Sequence, residues 1–475
     1  MNTPTTLPTE FIEKVKQILP SDELERFLQV STQPLKRSIR FNSLKSTQQD
    51  MRLVSNRHNW KLEQIPWCPQ GAWIEYQHQA PLGNFAEHLT GQFYIQEASS
   101  MMPPIALKYA MGAAKLGSVL DMAAAPGSKT TQLAALMNNE GALVANEFSA
   151  SRIKGLYANL VRCGVTNTAL THYDGRVFGE YLPEAFDAIL LDAPCSGEGT
   201  FRKDPDAFKN WSQRAVDELS QTQRDLIDSA YKALKPGGKL VYSTCTLNLE
   251  ENQHVCAYLL QKYPDMAVVN LSELFVGAER SATNEGYLHI WPHHYDSEGF
   301  FVAAFSKAEK EMTEKNSFSK PMPAKFPFTK ASKKQQQEIL QYLAYFGELD
   351  ISDSSFWLRE REVWLFPNKL TELVPLMKFD RIGVKVGEQH KKELRVTHEF
   401  AIAYGHQAAQ KLDLTAEQAE AFFMGKDLSN SSNYKKGDLV CCYAGVALGL
   451  ARITGNKLKN KLPRELVRDQ GLTFN

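Results

Sequence analysis

Two cysteines occupy positions where a covalent reaction could take place. Cys195 follows a proline in the segment 192–197 (DAPCSG), and Cys245 follows a threonine in the segment 242–246 (YSTCT). Each segment comes at the end of an apolar run that predicts a buried strand. Because chemistry in open α/β sheets gathers beyond the carboxyl ends of the strands, two thiols placed there predict cysteine catalysis on a bound substrate.

The alternative for both thiols is a small, buried apolar side chain, which is the usual environment of a free cysteine. The neighbouring Pro194 and Thr244, at the mouths of two predicted strands, favour the catalytic interpretation. The spacing does not tell which sulfur attacks, so either Cys195 or Cys245 could be the nucleophile. The other five of the seven cysteines have no metal-binding spacing, and we expect them to be buried.

A loop of small residues at 120–130 (LDMAAAPGSKT) joins a predicted strand to a predicted helix. Small residues let a ligand approach the backbone, and the helix N-terminus offers free N–H groups. A Walker A loop is excluded because Ser128 follows Gly127 where lysine is required, and a dinucleotide fingerprint needs three glycines instead of one. The loop fits S-adenosylmethionine. Its predicted cofactor contacts are Ala123, Ala124, Ala125, Pro126, Gly127, Ser128 and Lys129.

Three acidic residues follow the next predicted strands in turn. Glu147 stands where a carboxylate can accept both ribose hydroxyls of an adenosine group. Asp174 could accept a hydrogen bond from the adenine amino group, and Asp192 stands beside the expected methyl donor. Each acid alone is more often a helix cap or a turn residue. Their occurrence at successive strand ends favours cofactor binding, so we expect all three in the site.

Strands and helices alternate through residues 111–307, and this frame must position the site. The predicted strands are 119–121, 142–145, 169–173, 188–191, 240–242 and 299–305, and the predicted helices are 128–137, 151–163, 219–234 and 252–262. This alternation predicts the fold class: α/β, with a mainly parallel, doubly wound, Rossmann-like sheet covered by helices on both faces.

The flanking regions differ in character. Residues 1–110 predict a mixed α/β domain, 308–335 a basic linker, 336–390 a small α/β domain and 391–475 a β-rich domain. Within the first domain, positive charges alternate with apolar residues over 36–45 (KRSIRFNSLK). This pattern predicts either a half-buried strand with one basic face or a solvated edge strand guarded by lysines.

Two other basic segments also have two interpretations each. Arg202 and Lys203, after the Pro-Cys segment, could bind target phosphates or form a solvated loop. The C-terminal segment 452–468 could contact phosphates or be a plain solvated surface.

Bulk composition limits the class of protein. The chain of 475 residues has 54 basic and 54 acidic residues, so net charge does not indicate a nucleic-acid partner, although local basic surface can bind one. Cysteine usage, a polar N-terminus and the lack of a long apolar run predict a soluble, cytoplasmic protein with no membrane partner. His293 and His294 lack a third ligand, so we expect a polar loop there and no metal.

The motifs resemble those of a known family, the RNA cytosine carbon-5 methyltransferases of the Sun/NOL/NSUN type. The resemblance is carried by 121–130, by 192–200 (DAPCSGEGT), and by 202–205 (RKDP), 235–238 (KPGG), 243–246 (STCT) and 40–45 (RFNSLK). The segment 459–466 resembles the ribosomal RNA members of that family. Many relatives carry a cysteine where this chain has Ala123, in the donor loop, and we expect no loss of chemistry from this departure.

The resemblance implies a class I methyltransferase that uses S-adenosylmethionine, with an N-terminal α/β RNA-binding domain and small β-rich, PUA-like C-terminal domains. It implies that Cys245 adds to carbon-6 of a cytosine and that Cys195 helps release the product. Asp192 is our candidate for a proton or hydrogen-bond donor near ring nitrogen-3. The implied partner is 16S ribosomal RNA in the small subunit, bound by a monomer, with decoding-region cytosine 1407 as the target. The alternatives are a transfer-RNA cytosine and a non-catalytic ribosome assembly factor.

Overall fold

The computed structural model describes residues 7–77, 80–310, 326–344, 346–373, 377–390, 393–434, 436–469 and 472–474. Residues 311–325 of the predicted basic linker lie outside these ranges. Within the described residues, no helix is both long enough and apolar enough to cross a membrane.

The N-terminal region is a four-stranded antiparallel sheet flanked by helices. Its elements are α1 (Thr9–Ile18), α2 (Ser21–Ser31), β1 (Ser38–Phe41), α3 (Gln48–His58), β2 (Lys61–Gln64), β3 (Gly71–Glu75), α4 (Ala86–Leu89) and β4 (Phe93–Ile95). The strand order is β2-β3-β1-β4. The first two helices pack through apolar residues: Phe11 and Val15, one turn apart, are buried on α1, and Phe27 is buried on α2.

Both predictions for the basic strand are wrong. Strand β1 lies inside the sheet between β3 and β4, and all four of its residues are buried, so it has neither a basic face nor an exposed edge. Arg40 is only 2% exposed. Its guanidinium donates hydrogen bonds of 2.5–3.2 Å to the side chains of Gln96, Gln132 and Thr131 and to the carbonyl of Ser128. These acceptors replace the water that a cation requires.

The central region forms a mainly parallel sheet, as the sequence predicts. Its elements are α5 (Met102–Met111), β5 (Ser118–Asp121), α6 (Ser128–Leu136), β6 (Ala142–Asn146), α7 (Ala150–Cys163), β7 (Thr168–Thr171), α8 (Phe178–Tyr181), β8 (Phe186–Asp192), α9 (Gln213–Ala233), β9 (Leu234–Thr244), α10 (Gln253–Lys262), β10 (Met266–Val269), β11 (Leu288–Ile290), α11 (Pro292–Tyr295) and β12 (Phe300–Lys307). Strands β7, β6, β5, β8 and β9 are parallel neighbours in that order. Strand β12 continues the sheet antiparallel to β9, and β10 and β11 both pair with β12.

Helices cover both faces of this sheet and enclose two apolar cores. One core packs α5, α6 and α7 against Val119, Leu143 and Leu190, and the other packs α9 and α10 against Leu120 and Ile189. Successive residues of one strand thus point into opposite cores, so the strands read as continuous apolar runs. The carboxyl ends of β5, β6, β8 and β9 therefore meet at one edge of a rigid sheet.

Two further sheets follow in the C-terminal region. The elements are β13 (Thr329–Lys330), α12 (Lys333–Leu343), β14 (Ser354–Arg359), β15 (Glu362–Pro367), β16 (Arg381–Ile382), β17 (Val384–His390), β18 (Glu393–Val396), α13 (His398–Tyr404), β19 (Lys411–Asp413), α14 (Ala416–Phe423), β20 (Leu428–Ser429), β21 (Gly437–Tyr443), β22 (Val446–Thr454) and β23 (Lys457–Asn460). One sheet has the order β13-β14-β15-β17-β18 and the other β19-β21-β22-β23-β20, while β16 joins the central sheet beside β7. The predicted domain boundary after residue 390 falls between β17 and β18, which pair with each other.

We predict that replacing Arg40 by methionine lowers the free energy of unfolding by about 2–4 kcal/mol, because it leaves four buried acceptors without their charged donor. Arg37 is the control, since its exposed side chain contacts only Tyr76 Oη among the described hydrogen-bond partners. Arg37→Met should change stability by less than about 0.5 kcal/mol. Urea unfolding of both variants measures the difference, and equal stabilities would contradict the role of the Arg40 network.

Candidate active site

Cys195 and Cys245 lie in the loops after neighbouring parallel strands, β8 and β9. The two strands are in register at Asp192 and Ser243, so both loops leave the sheet at the same level. The two sulfur atoms are 3.2 Å apart. Both side chains are half-buried, whereas Cys68, Cys163, Cys256, Cys441 and Cys442 are buried, as the sequence predicts. The structure thus brings the two candidate thiols together at the carboxyl edge of the sheet.

The two thiols interact with each other and with a nearby cation. The hydrogen bond to the Cys245 sulfur, together with burial, raises the pKa of Cys195 well above its ordinary value. A protonated Cys195 can donate to the Cys245 sulfur and stabilise negative charge there. The ammonium group of Lys129 also interacts electrostatically with Cys245. The Cys195 thiol and the Lys129 ammonium group thus both lie where they would stabilise negative charge on the Cys245 sulfur.

Asp192, at the end of β8, is held in an ion pair. Its Oδ2 lies 2.8 Å from Lys129 Nζ, and its Oδ1 accepts a hydrogen bond of 2.7 Å from Ser243 Oγ. Burial disfavours the charge on Lys129, but the Asp192 carboxylate outweighs it and raises the pKa of Lys129. Lys129 Nζ also donates to Ser100 Oγ at 3.0 Å. A carboxylate paired in this way faces the site as a hydrogen-bond acceptor.

The loop of small residues lies against Glu147, at the end of β6. Glu147 Oε2 accepts from the backbone N–H of Ala125 at 3.2 Å, and Oε1 accepts from that of Ser149 at 2.8 Å. The N–H of Ala124 donates to the carbonyl of Asn146 at 2.7 Å, which ties the loop to the same strand end. Arg152 Nη1 lies 3.4 Å from Oε2, while Oε1 retains a lone pair with which Glu147 can accept a ribose hydroxyl. A carboxylate acceptor next to a loop of small residues fits S-adenosylmethionine.

The remaining predicted loop residues are placed between β5 and α6. Ala123 and Ser128 are partly exposed and Pro126 is exposed, so these three can touch a ligand directly. Gly127 has a φ of 102°, in the region that favours glycine, and α6 begins directly after it. The chain therefore turns into the helix without a side chain at the turn.

Asp174 makes the contacts of a helix cap or turn residue, which was the alternative to cofactor binding. Its carboxylate accepts hydrogen bonds from the backbone N–H and the guanidinium of Arg176, at 2.5–3.0 Å. The Arg176 side chain lowers the pKa of Asp174. Asp174 still stands after β7, at the same edge of the sheet as Glu147, and its contact with the adenine stays a prediction.

Sequence reasoning missed the polar residues beneath the two thiols. Glu198 and Glu251 are fully buried, and the side-chain amide of Asn248 donates to both carboxylates, at 3.1 and 2.7 Å. Glu251 also accepts from the N–H of Ser196 at 3.0 Å, and Glu198 accepts from Thr246 Oγ1 at 2.8 Å. The residues after Cys195 and Cys245 are thus anchored to one cluster. The available signal was the run of polar residues 248–252 (NLEEN), directly after an apolar strand.

Two glycines bring the loops of the site into backbone contact. The N–H of Gly199 donates to the carbonyl of Cys245 at 2.9 Å, and the N–H of Gly299 donates to the carbonyl of Gly199 at 3.0 Å. A Cβ atom at Gly199 would lie 2.2 Å from the carbonyl oxygen of Gly299. No larger residue fits there without moving the loop that carries Cys195.

Two of the other sequence predictions need correction. The side chain of Arg202 is fully buried and binds Asp296, at 2.7 Å, and the carbonyl of Ser297, so it neither contacts phosphate nor forms a solvated loop. His293 and His294 lie on the one-turn helix α11 instead of a loop. Both rings contact Glu23 Oε2, and these three residues are a possible metal-ligand group among the described residues.

Family models match four segments of the chain. Residues 109–306 match the 16S rRNA methyltransferase RsmB/F model, and residues 7–98 match the N-terminal domain of 16S rRNA methyltransferase RsmF. Residues 328–404 match the pre-PUA domain of ribosomal RNA small subunit methyltransferase F, and residues 409–468 match the RsmF PUA domain.

Relatives and solved structures agree with these matches. The ribosomal RNA small subunit methyltransferase F of Vibrio vulnificus (strain YJ016) is 51% identical over 480 residues, covering 99% of this chain and 100% of the relative. That of Shewanella oneidensis is 49% identical over 469 residues, covering 98% of each. A methyltransferase homolog protein from Pyrococcus horikoshii is 33% identical with a TM-score of 0.50, over 63% of this chain and 100% of that one. NSun6 from Pyrococcus horikoshii with SFG, at 22% identity, has the same fold (TM-score 0.56, 64% of this chain and 99% of that one).

The parallel sheet, the loop of small residues after its first strand and the carboxylate after the second define a class I methyltransferase that uses S-adenosylmethionine. PUA-type domains add an RNA-binding region. The chain belongs to the ribosomal RNA small subunit methyltransferase F family.

We predict that Gly199→Ala reduces methyl transfer about 100-fold. The added Cβ atom clashes with Gly299 and shifts the loops that carry the two thiols, and a small shift of reacting groups is enough to lower the rate this much. It should also lower stability by about 1–3 kcal/mol. Gly155→Ala is the matched control, since a Cβ there meets open space on the exposed side of α7, and it should keep full activity. Methyl transfer by both variants from labelled S-adenosylmethionine measures the effect. Full activity in Gly199→Ala would contradict the importance of this contact.

Proposed function

We propose that the chain methylates carbon-5 of a cytidine in 16S ribosomal RNA, within the small subunit, through a covalent bond between Cys245 and the base. Relatives named ribosomal RNA small subunit methyltransferase F support this substrate. The resemblance to the Sun/NOL/NSUN family makes decoding-region cytosine 1407 the target and the cytoplasm the compartment. The observation that carries the proposal is the pair of sulfurs 3.2 Å apart, beside the Lys129–Asp192 ion pair.

A covalent route explains why such a site holds thiols. Carbon-5 of cytosine is a poor nucleophile, and addition of a sulfur to carbon-6 converts the ring into an enamine whose carbon-5 can attack. Bound S-adenosylmethionine supplies the methyl group. The carbon-5 proton then leaves, and the sulfur is eliminated. An amino-group methyltransferase would need no thiol at this edge of the sheet.

The electrostatics support Cys245 as the nucleophile. A thiolate is the reactive form of cysteine, and both the donor Cys195 and the ammonium of Lys129 favour negative charge on the Cys245 sulfur. Cys195 keeps its proton in the free enzyme, which leaves it available for proton transfer during product release. This division of roles agrees with the one that the family resemblance implies.

Asp192 forms an ion pair with Lys129, which favours hydrogen-bond acceptance over the donor role expected for it near ring nitrogen-3. We propose instead that it accepts a hydrogen bond from the exocyclic amino group of the cytosine and so orients the base over Cys245. A cytosine in a paired helix would have to be extruded to reach this position, at a cost of a few kcal/mol.

The substrate is tested by methyl incorporation into purified small ribosomal subunits, naked 16S ribosomal RNA and transfer RNA, followed by mapping of 5-methylcytosine. We expect incorporation at one cytosine of 16S ribosomal RNA and none in transfer RNA. Incorporation into transfer RNA alone would favour the transfer-RNA enzyme. Tight RNA binding with no incorporation in any of the three would favour an assembly factor.

Alanine variants distinguish the roles of the two cysteines. Cys245→Ala should abolish turnover and any adduct, because it removes the sulfur that adds to carbon-6 in the proposed reaction, whereas Cys195→Ala should accumulate enzyme trapped on RNA. Denaturing gels with wild-type substrate RNA and with 5-azacytidine-substituted RNA detect the adduct. Cys256→Ala, at a buried thiol away from the site, is the control and should behave as wild type. Trapping in Cys245→Ala and inactivity in Cys195→Ala would reverse the assignment.

A further inference from the structure

Glu298 lies at the corner of the site, and none of the roles assigned above uses it. It precedes Gly299 and strand β12, which pairs with β9, the strand that ends directly before Cys245. Backbone hydrogen bonds link Gly299 to Gly199 and Gly199 to Cys245. The backbone of Glu298 is therefore tied, through Gly299 and Gly199, to the backbone of the proposed nucleophile.

The carboxyl group of Glu298 is buried without a neutralising partner. The residue is 5% exposed, and its Oε1 has no hydrogen-bond partner among the described residues. A second acid adjoins it, since Glu97 Oε1 accepts the backbone N–H of Glu298 at 3.0 Å. An acidic group that is buried, unpaired and next to another carboxylate favours its neutral form.

The charged and titratable groups that act on Glu298 come from three parts of the chain. Burial raises its pKa well above the ordinary value, and the charges of Glu97 and of Cys245 add to the increase. Lys203 and Arg202 act in the opposite direction without cancelling it. The site thus holds two acids in different surroundings: Asp192 is ion-paired with Lys129, whereas Glu298 is buried, and one of its oxygens has no partner among the described residues, which favours its neutral form. Such a division is what acid–base catalysis requires.

We propose that Glu298 is the catalytic acid that protonates ring nitrogen-3 of the cytosine when the Cys245 sulfur adds to carbon-6. The inference rests on the proposed function, because it names the proton donor for that reaction. It assigns the proton-donor role to Glu298 and leaves Asp192, paired with Lys129, as a hydrogen-bond acceptor.

The protons and electrons of this step balance without another reactant. The thiolate forms the S–C6 bond, the C5=C6 pair becomes a C4=C5 double bond, and the C4=N3 pair takes the proton of Glu298. When carbon-5 attacks the methyl group, the C4=N3 bond re-forms and the proton returns to the Glu298 carboxylate. Glu298 thereby begins and ends the methylation step as the neutral acid.

Glu298→Gln tests the proposal, because the amide keeps the shape but cannot transfer a proton. Single-turnover methyl transfer should fall at least about 100-fold, in the range of a lost general acid. Binding of RNA and of S-adenosylmethionine should stay unchanged. Glu273→Gln, the same change at an exposed glutamate of the central region, is the control and should react at the wild-type rate.

The pH profile separates catalysis from a structural role. A group that must be protonated gives a rate that falls as pH rises through its raised pKa, so the wild type should show this falling limb. Glu298→Gln should lose that limb. Glu298→Asp, which keeps an acid, should retain it at a lower rate and serves if the glutamine variant fails to fold.

Two outcomes count against the inference in different ways. If the wild type forms an adduct with 5-azacytidine RNA while Glu298→Gln keeps the wild-type rate and falling limb, Glu298 is not the acid. If the wild type forms no adduct and leaves cytosine carbon-5 unmethylated, the proposed function fails and this inference fails with it.

Discussion

A short relay of backbone hydrogen bonds determines the geometry of the site. The carbonyl of Cys245 accepts from Gly199, and the carbonyl of Gly199 accepts from Gly299. These residues come from the loops after β8 and β9 and from the start of β12, so the relay joins three strands that are distant in the chain. Backbone can approach backbone this closely only where no Cβ intervenes. The positions of both thiols and of Glu298 depend on these two glycines.

Buried carboxylates beneath the loops make this geometry rigid. Glu198 and Glu251 have no cation among their described hydrogen-bond partners, and neutral donors, above all the amide of Asn248, satisfy them. Removing one donor would leave a buried carboxyl oxygen without a partner, at a cost of about 1–3 kcal/mol. The network therefore holds the loops in one arrangement before any substrate binds, as preorganised catalysis requires.

The elements that have a regular pattern of apolar residues could be predicted from the sequence. Apolar runs gave the strands of the central sheet, and strand ends gave the position of Cys195, Cys245, Glu147 and Asp192. The sequence could not give the pairing of Asp192 with Lys129, because that contact joins the end of β8 to the first turn of α6, and their separation depends on the folded sheet. Glu298 was missed because a single acid before a glycine is typical of an ordinary turn.

The largest error came from the assumption that a charged residue must be exposed to solvent. Arg40 looked like part of a basic surface, yet it is buried where the N-terminal sheet meets the central region. Its guanidinium donates to the carbonyl of Ser128, the first residue of α6, and to Thr131 one turn later. Those residues directly follow the cofactor loop. The N-terminal sheet and the cofactor loop thus share one network of buried hydrogen bonds, and neither can shift without breaking contacts that water cannot replace. The buried Arg40 thus joins the N-terminal sheet to the start of α6, and that explains why it lies on β1, an inner strand of the N-terminal sheet.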